Sequence, residues 1–283
     1  LTYHLRDRSL QCHYCDYRIK APGDCPKCMG HRLQGIGIGT ERLEQEVKRL
    51  FPAIEVGRMD RDTTFRKRSH LQILKKLESG DIDILVGTQM IVKGHDFPNV
   101  TFVGVVSADT SLHFPDFRSG ERTFQMLTQV AGRAGRGENL GEVIIQTFNP
   151  DHYSIVKAKD HDFIGFYQEE ILFRKALGYP PFSRMINFRL IGNSERRTRI
   201  MAEEMGRVGK DLLKKYGKGI EILGPSMAPF FKMRGKFRWQ MLVKGKSSLL
   251  LHQFAQELAS RLKTQAKGEG VELDIDVDPV FIL

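Results

Sequence analysis

A chain of 283 residues has room for about two domains, each able to bury a core of its own. Its 41% hydrophobic and 28% charged residues have the composition of a soluble globular protein, and no apolar run approaches the roughly eighteen residues that a membrane helix needs, so no membrane partner is expected. Forty-four Lys and Arg against thirty-four Asp and Glu leave a net charge of +10, which favours a polyanionic partner.

The amino terminus, Leu1-Thr-Tyr-His-Leu-Arg-Asp-Arg8, has neither a signal-peptide core nor a methionine, so an internal start and a cytoplasmic setting are expected. Residues 1–32 hold all four cysteines, as Cys12-x-x-Cys15 and Cys25-x-x-Cys28, with Pro22, Gly23 and Pro26 supplying turns. Each pair brings two thiolates to one metal, and two pairs complete a tetrahedral sulfur shell, the pattern of a zinc ribbon. Disulfides are the competing reading, but nothing here points to secretion. His13 and His31 lie near enough to act as substitute ligands, and read more simply as loop residues.

From Ile36 the texture alternates strand and helix. Gly35–Thr40 reads as a strand ending in a turn, with Thr40 as the cap of a helix over Glu41–Leu50. Strands are expected at Ile54–Arg58, Ile82–Val86, Val100–Ser107 and Val143–Gln146. Helices are expected over Arg66–Ser79, burying Leu71, Leu74 and Leu77, and over Ser119–Ala131. This alternation predicts an α/β lobe over 33–150, a parallel sheet covered on both faces that binds its ligand at the carboxyl ends of its strands. A domain boundary is placed after Asn149-Pro150. Residues 151–283 then read as one linker helix (Ile155–Leu177) followed by a small α+β domain with an antiparallel or mixed sheet. Its strands are expected at Met185–Ile191, Ile220–Leu223, Trp239–Lys244 and Val271–Val277, and its helices at Ser194–Tyr216 and Leu249–Ala266.

Three stretches carry candidate chemistry. Gln129-Val-Ala-Gly-Arg-Ala-Gly-Arg-Gly137 sets Arg133 and Arg136 three residues apart among glycines, so that on a helix both guanidinium forks could grip one phosphate; a basic helix end facing its own dipole is the plainer alternative. The loop Gly87-Thr-Gln-Met-Ile-Val-Lys-Gly-His-Asp96 follows a strand: Thr88 could bond a backbone phosphate, Lys93 could contact DNA, Gly94 permits close approach and Asp96 could orient a sugar hydroxyl or one of the arginines. The run Phe230–Trp239 interleaves Lys232, Arg234, Lys236 and Arg238 with four aromatics, the composition of a single-strand-binding surface on which Trp239 would stack a base. A β-hairpin with its aromatics in the core weighs equally.

Taken together, Gly-Thr-Glu at 39–41, Gly-Thr-Gln with Lys-Gly-His-Asp-Phe at 87–97, Pro-Asp-Phe-Arg-Ser-Gly-Glu-Arg at 115–122 and Gln-Val-Ala-Gly-Arg-Ala-Gly-Arg at 129–136 resemble the PriA (primosomal protein N′) family of superfamily 2 replication-restart helicases. The resemblance implies a second RecA-like lobe, a remnant of a zinc-binding insertion and a C-terminal DNA-binding domain. It also implies ATP- and Mg²⁺-dependent 3′→5′ unwinding at stalled forks. Single-stranded and forked DNA, single-strand-binding protein and primosome proteins are the implied partners. By the same resemblance Gln129, Arg133 and Arg136 meet ATP across the cleft between lobes, while Thr88, Gly94 and Asp96 couple that cleft to the DNA strand.

Two departures qualify it. No Gly-x-x-x-x-Gly-Lys-[Ser/Thr] and no Asp-Glu-x-His occurs in these residues, so half of an ATP site is expected to lie elsewhere in a longer protein and the chain alone is expected to lack ATPase activity. The family also holds two zincs with four interleaved cysteine pairs, of which two pairs are present here, enough for at most one zinc. The rival reading is a non-enzymatic nucleic-acid-binding adaptor with a degenerate RecA-like fold, against which the paired arginines argue.

Overall fold

The structure is a computed structural model describing residues 2–4, 8–12, 17–24, 28–30, 39–60, 69–89, 91, 100–132 and 141–282. It divides into two compact units: one of residues 34–114 and 118–169, the other of residues 1–33, 115–117 and 170–283. By contact the division falls inside a helix at Glu169/Glu170, since Ile155, Ala158 and Phe166 pack with Phe124 and Leu127 of the first unit.

The chain opens with a three-stranded antiparallel sheet of β1 (Thr2–His4), β2 (Ser9–Gln11) and β3 (Arg18–Lys20). The unit of residues 34–114 and 118–169 then runs α1 (Thr40–Leu50), β4 (Val56–Met59), α2 (Ser69–Glu78), β5 (Ile84–Gly87), β6 (Phe102–Val105), α3 (Asp109–Leu112), α4 (Ser119–Ala131), β7 (Glu142–Ile145) and α5 (Tyr153–Lys159). Strands β4 and β5 pair in parallel, as do β6 and β7. Met59 and Leu74 are buried together against Ile73, Leu77 and Leu85. Leu71, expected in that core, is exposed. At 100° per residue the apolar face centres between Ile73, Leu74 and Leu77, which leaves Leu71 about 110° off it. The inner face of β6 and β7 packs on Phe124 and Leu127 of α4 and Ile155 of α5. Their outer face leaves Phe102 and Ile144 exposed, so the expected cover on both faces is not met among the described residues.

The expected linker helix is two helices, α5 and α6 (Phe163–Leu177). His161 adopts φ 52°, and the Asp162 carboxylate accepts from the Gly165 N–H at 2.8 Å, which ends one helix and caps the next. Phe166 stacks on Phe124 with ring centroids 4.3 Å apart, fastening the start of α6 to α4.

The C-terminal unit is built on β8 (Arg184–Gly192), α7 (Glu195–Tyr216), β9 (Ile220–Met233), β10 (Lys236–Gly245), α8 (Ser248–Gly268) and β11 (Val271–Val277). The sheet order is β11-β8-β10-β9 and every pairing is antiparallel. Ser194 and Ser247 cap α7 and α8 by accepting from Arg197 N–H and Leu250 N–H. Both helices lie on one face, where Phe188, Leu190, Met241 and Val243 meet Met201, Met205, Phe254 and Leu258. Gly206 lets Pro225 approach α7, since a Cβ there would stand 2.6 Å from the proline Cδ. No helix among the described residues is long and apolar enough to cross a membrane.

Candidate functional site

The Gly87-Thr88 step is set by strand spacing. Met59 and Gly87 are partners at the carboxyl ends of β4 and β5, and a Cβ on Gly87 would collide with the Met59 carbonyl oxygen. Thr88 follows immediately and is exposed, at the end of the strands where parallel sheets bind ligands. The next residue ties this loop to α4: Gln89 Nε2 lies 3.2 Å from Met126 Sδ. Lys93, Gly94 and Asp96 lie outside the described residues. At the neighbouring end of β4, Asp60 is buried, accepts from the Thr40 hydroxyl at 2.6 Å and pairs with Arg58 Nε at 3.1 Å. Thr40 is therefore the first residue of α1 and not its cap; Gly39 holds that position.

Helix α4 buries Thr123, Phe124, Leu127 and Val130 and turns Gln125 and Gln129 outward. The hydroxyl of Thr123 sits 2.8 Å from the Ser119 carbonyl and 2.9 Å from Ser111 Oγ, fixing the helix to the end of α3. Gln129 thus stands exposed on the last turn, one turn beyond the Met126 that meets the Thr88 loop. Gly132 closes the helix with its N–H on the Thr128 carbonyl. Arg133 and Arg136 come next in the chain and lie outside the described residues. Asp109, the first residue of α3, is buried. Burial opposes its ionisation, but bonds from the Phe148 N–H at 3.0 Å and the Asn149 amide at 2.6 Å outweigh that and hold its carboxyl below the usual range.

In the amino-terminal module Cys12 directly follows β2, and its N–H donates to the Tyr17 carbonyl at 2.8 Å, closing the β2–β3 hairpin loop that contains Cys15. Cys12 is half-buried and Cys28 exposed; Cys15, Cys25, His13 and His31 lie outside the described residues. Among the described residues no group of three metal-binding side chains gathers.

The aromatic and cationic run of the C-terminal unit is the β9–β10 hairpin, with a two-residue turn at Arg234 (φ 51°) and Gly235 (φ 80°). Lys232, Arg234 and Lys236 are exposed at its tip, with Phe230 and Met233 about half exposed beside them. Lys232 Nζ lies 4.9 Å from the Phe237 ring centroid, and Lys236 is 3.8 Å from Glu272. Trp239 and Arg238 must be removed from the expected binding surface. Trp239 is only 7% exposed, within the core under α7 and α8, edge-on to Phe231. Arg238 points to the opposite face and is only 6% exposed; burial lowers its pKa, as does the neighbouring Arg189, while Asp274 raises it. Strand alternation sends neighbouring residues to opposite faces, and here both faces are covered.

Sequence reasoning missed the cluster Phe117, Arg174, Tyr179 and Lys244, in which Arg174 lies over Phe117 and Lys244 over Tyr179. Pro115-Asp-Phe117 was visible as part of a motif, but its partners lie more than fifty residues away.

Comparison with known proteins matches this arrangement in three segments. Residues 1–20 match the PriA DNA helicase Cys-rich region domain, residues 37–138 the helicase conserved C-terminal domain and residues 175–280 the primosomal protein N C-terminal domain. Replication restart protein PriA of Bacillus subtilis (strain 168) is 41% identical over 283 residues, all of this chain and 35% of its own length. The protein of the same name from Synechocystis is 42% identical over 96% of this chain and 32% of its own length; that of Treponema pallidum is 38% identical over the whole chain and 42% of its own length. The chain thus spans about a third of the length of the relatives it matches. It resembles, from its first residue to its last, the C-terminal part of the replication restart proteins named PriA.

Proposed function

We propose that this chain forms the second RecA-like lobe, part of the zinc module and the C-terminal DNA-binding domain of an ATP-dependent 3′→5′ DNA helicase acting in replication restart and primosome assembly. The observation that carries this reading is the placement of Gln129, exposed on the last turn of an α4 that is joined through Met126 and Gln89 to the Thr88 loop. One helix end and one strand end meet, as a site coupling nucleotide to DNA requires.

In this reading Gln129, Arg133 and Arg136 face ATP held by another lobe, because no phosphate-cradling loop occurs in these 283 residues. ATP with Mg²⁺ supplies the transferring phosphoryl group. The arginines stabilise charge that develops on it only in the transition state, an effect of roughly 10³–10⁵ in rate. Thr88, Gly94 and Asp96 pass the state of the cleft to the bound strand, and Lys93, Lys232, Arg234 and Lys236 neutralise phosphates of single-stranded or forked DNA. Four thiolates, from Cys12, Cys15, Cys25 and Cys28, suit zinc, which would cross-link the loops that carry them and take no part in a reaction step. Single-strand-binding protein and primosome proteins are the proposed protein partners, in a cytoplasmic, nucleoid-associated setting.

The test is ATP turnover by the intact protein. Arg133→Ala or Arg136→Ala should leave nucleotide binding in place and lower DNA-stimulated hydrolysis by roughly 10³ or more, with unwinding falling in step. Wild-type turnover in either variant would return that arginine to a structural role.

A further inference from the structure

Phe148, in the loop that follows β7, is 71% exposed, more than any other large apolar side chain among the described residues. Its backbone is held as firmly as its ring is free. Beyond the last paired residues of β6 and β7 the two chains stay joined, the Gln146 N–H donating to the Val105 carbonyl at 2.9 Å and the Ala108 N–H to the Gln146 carbonyl at 3.0 Å. The buried Asp109 carboxylate continues the clamp, accepting from the Phe148 N–H at 3.0 Å and from the Asn149 amide at 2.6 Å. The Asn149 N–H closes the loop on Thr147 Oγ1 at 3.0 Å. All of these residues belong to one compact unit.

A single exposed apolar residue is ordinary on a protein surface, and loops are ordinarily loosely held. The support under this ring is not ordinary. Burying a carboxylate is unfavourable unless hydrogen bonds satisfy it, and here those bonds go to Phe148 and the residue after it. With its backbone fixed, a Phe has only two side-chain torsions left to order, so a partner that stacks on it meets little entropic resistance. Position points the same way. The loop lies at the carboxyl ends of a parallel pair, where open α/β sheets bind ligands. On the facing loop Ser107 holds φ 61°, and its hydroxyl lies 3.2 Å from that of the exposed Thr110. One hydroxyl of the pair donates to the other, which leaves one proton for an anionic oxygen such as that of a phosphate.

We propose that Phe148 is a stacking platform for a base of single-stranded DNA, a binding residue of the helicase-like unit additional to the cations of the β9–β10 hairpin tip. The inference rests on the function proposed above, which brings a single strand to this protein. Every base has a π-face, so the contact reads no sequence, and a stacked base displaces no condensed counterion, so its contribution does not change with salt.

Fluorescence anisotropy of the intact protein with labelled oligothymidylate across a salt series tests it, on the unaltered protein and on Phe148→Ala, Phe148→Leu and Phe148→Trp, each checked for fold by circular dichroism. The ring is exposed, so the fold does not depend on it. Phe148→Ala should weaken binding roughly tenfold at every salt concentration and leave the log–log slope unchanged. Phe148→Leu, which keeps apolar bulk without a π-face, should lose nearly as much, whereas Phe148→Trp should keep or raise the affinity. Wild-type affinity in Phe148→Ala overturns the inference, because no base then meets the ring. Full recovery in Phe148→Leu overturns it too, because apolar bulk then suffices without stacking. The unaltered protein separates this inference from the reading beneath it. If that protein binds no single strand, the proposed function falls and the inference with it; if it binds, and Phe148→Ala binds equally well, only the stacking role is removed.

Discussion

The helicase-like unit and the C-terminal unit use cations, aromatics and glycines in opposite ways. In the first, four-residue strands pair in twos, and the residues proposed for the site stand at strand and helix ends: Thr88 just after β5, Gln129 on the last turn of α4. In the second, antiparallel strands of up to 14 residues take an aromatic run of similar promise and fold it inward. Glycine shows the same contrast. Gly87 is needed because a neighbouring strand passes too close for a side chain, and Gly235 because a two-residue hairpin turn requires positive φ. Composition therefore does not make a binding surface; position relative to the ends of elements does.

The largest effect that could break this comparison is at Trp239. If the ring is core, Trp239→Ala should cost roughly 3–5 kcal/mol of stability in the C-terminal unit, read as an earlier denaturation midpoint. Its indole N–H is buried and has no hydrogen-bond partner among the described residues, so Trp239→Phe, which removes that donor and keeps an aromatic ring, should recover most of the loss. A stable Trp239→Ala protein with weakened DNA binding would instead make the ring a stacking platform and undo the contrast.

A smaller effect belongs to the hairpin tip. On single-stranded DNA each lost phosphate contact should reduce the log–log salt slope by about 0.7. Arg234→Ala and Lys232→Ala should each remove up to one contact, and Lys236→Ala less, because Glu272 already shares its charge. Arg238→Ala should leave the slope unchanged, its side chain being buried. Fluorescence anisotropy across a salt series reads all four, and a slope change confined to Arg238→Ala would place the DNA surface on the wrong side of β10.

How much was legible in the sequence follows from what each element depends on. Helix α4 and strand β11 were read to the residue, because a glycine ends the first and begins the second, and one apolar period runs through each. Strand β9 was read ten residues short, since Pro225 and Pro229 interrupt its alternation. Prolines are tolerated there because β9 is an edge strand, which only the sheet order reveals. Period-two reasoning placed Trp239 and Arg238 on opposite faces of β10 but could not show that both faces are covered. The exposure of Thr88 and Gln129 follows from loop and helix position, whereas the seat of Phe117 depends on Arg174, Tyr179 and Lys244, partners that local sequence cannot name.

The smallest effect separates the units by the way each holds a carboxylate. In the C-terminal unit Glu257 joins α8 to α7: Lys215 Nζ lies 2.6 Å from one of its oxygens, Tyr216 Oη 2.9 Å from the same oxygen and Arg261 2.6 Å from the other. The Lys215 bond first, then that from Tyr216, hold its carboxyl down at about 2, against an ordinary 4.5. A depressed folded-state pKa means stability that is complete above about pH 4.5 and lost as pH falls toward 2. The cluster is solvent-exposed, so its contribution is small and screened by salt. Asp109 of the helicase-like unit is also held below its usual range, but by hydrogen bonds from neutral groups, the Phe148 N–H, the Asn149 amide and the Thr147 side chain among them, and it is buried. Glu257→Gln should therefore lower the melting temperature slightly at pH 7, with the deficit shrinking both in 1 M NaCl and between pH 4.5 and 2. The deficit caused by Asp109→Asn should survive 1 M NaCl. A Glu257→Gln deficit indifferent to salt would show that Glu257 stabilises α7 and α8 through packing and the Tyr216 hydroxyl, and that the two carboxylates are held alike.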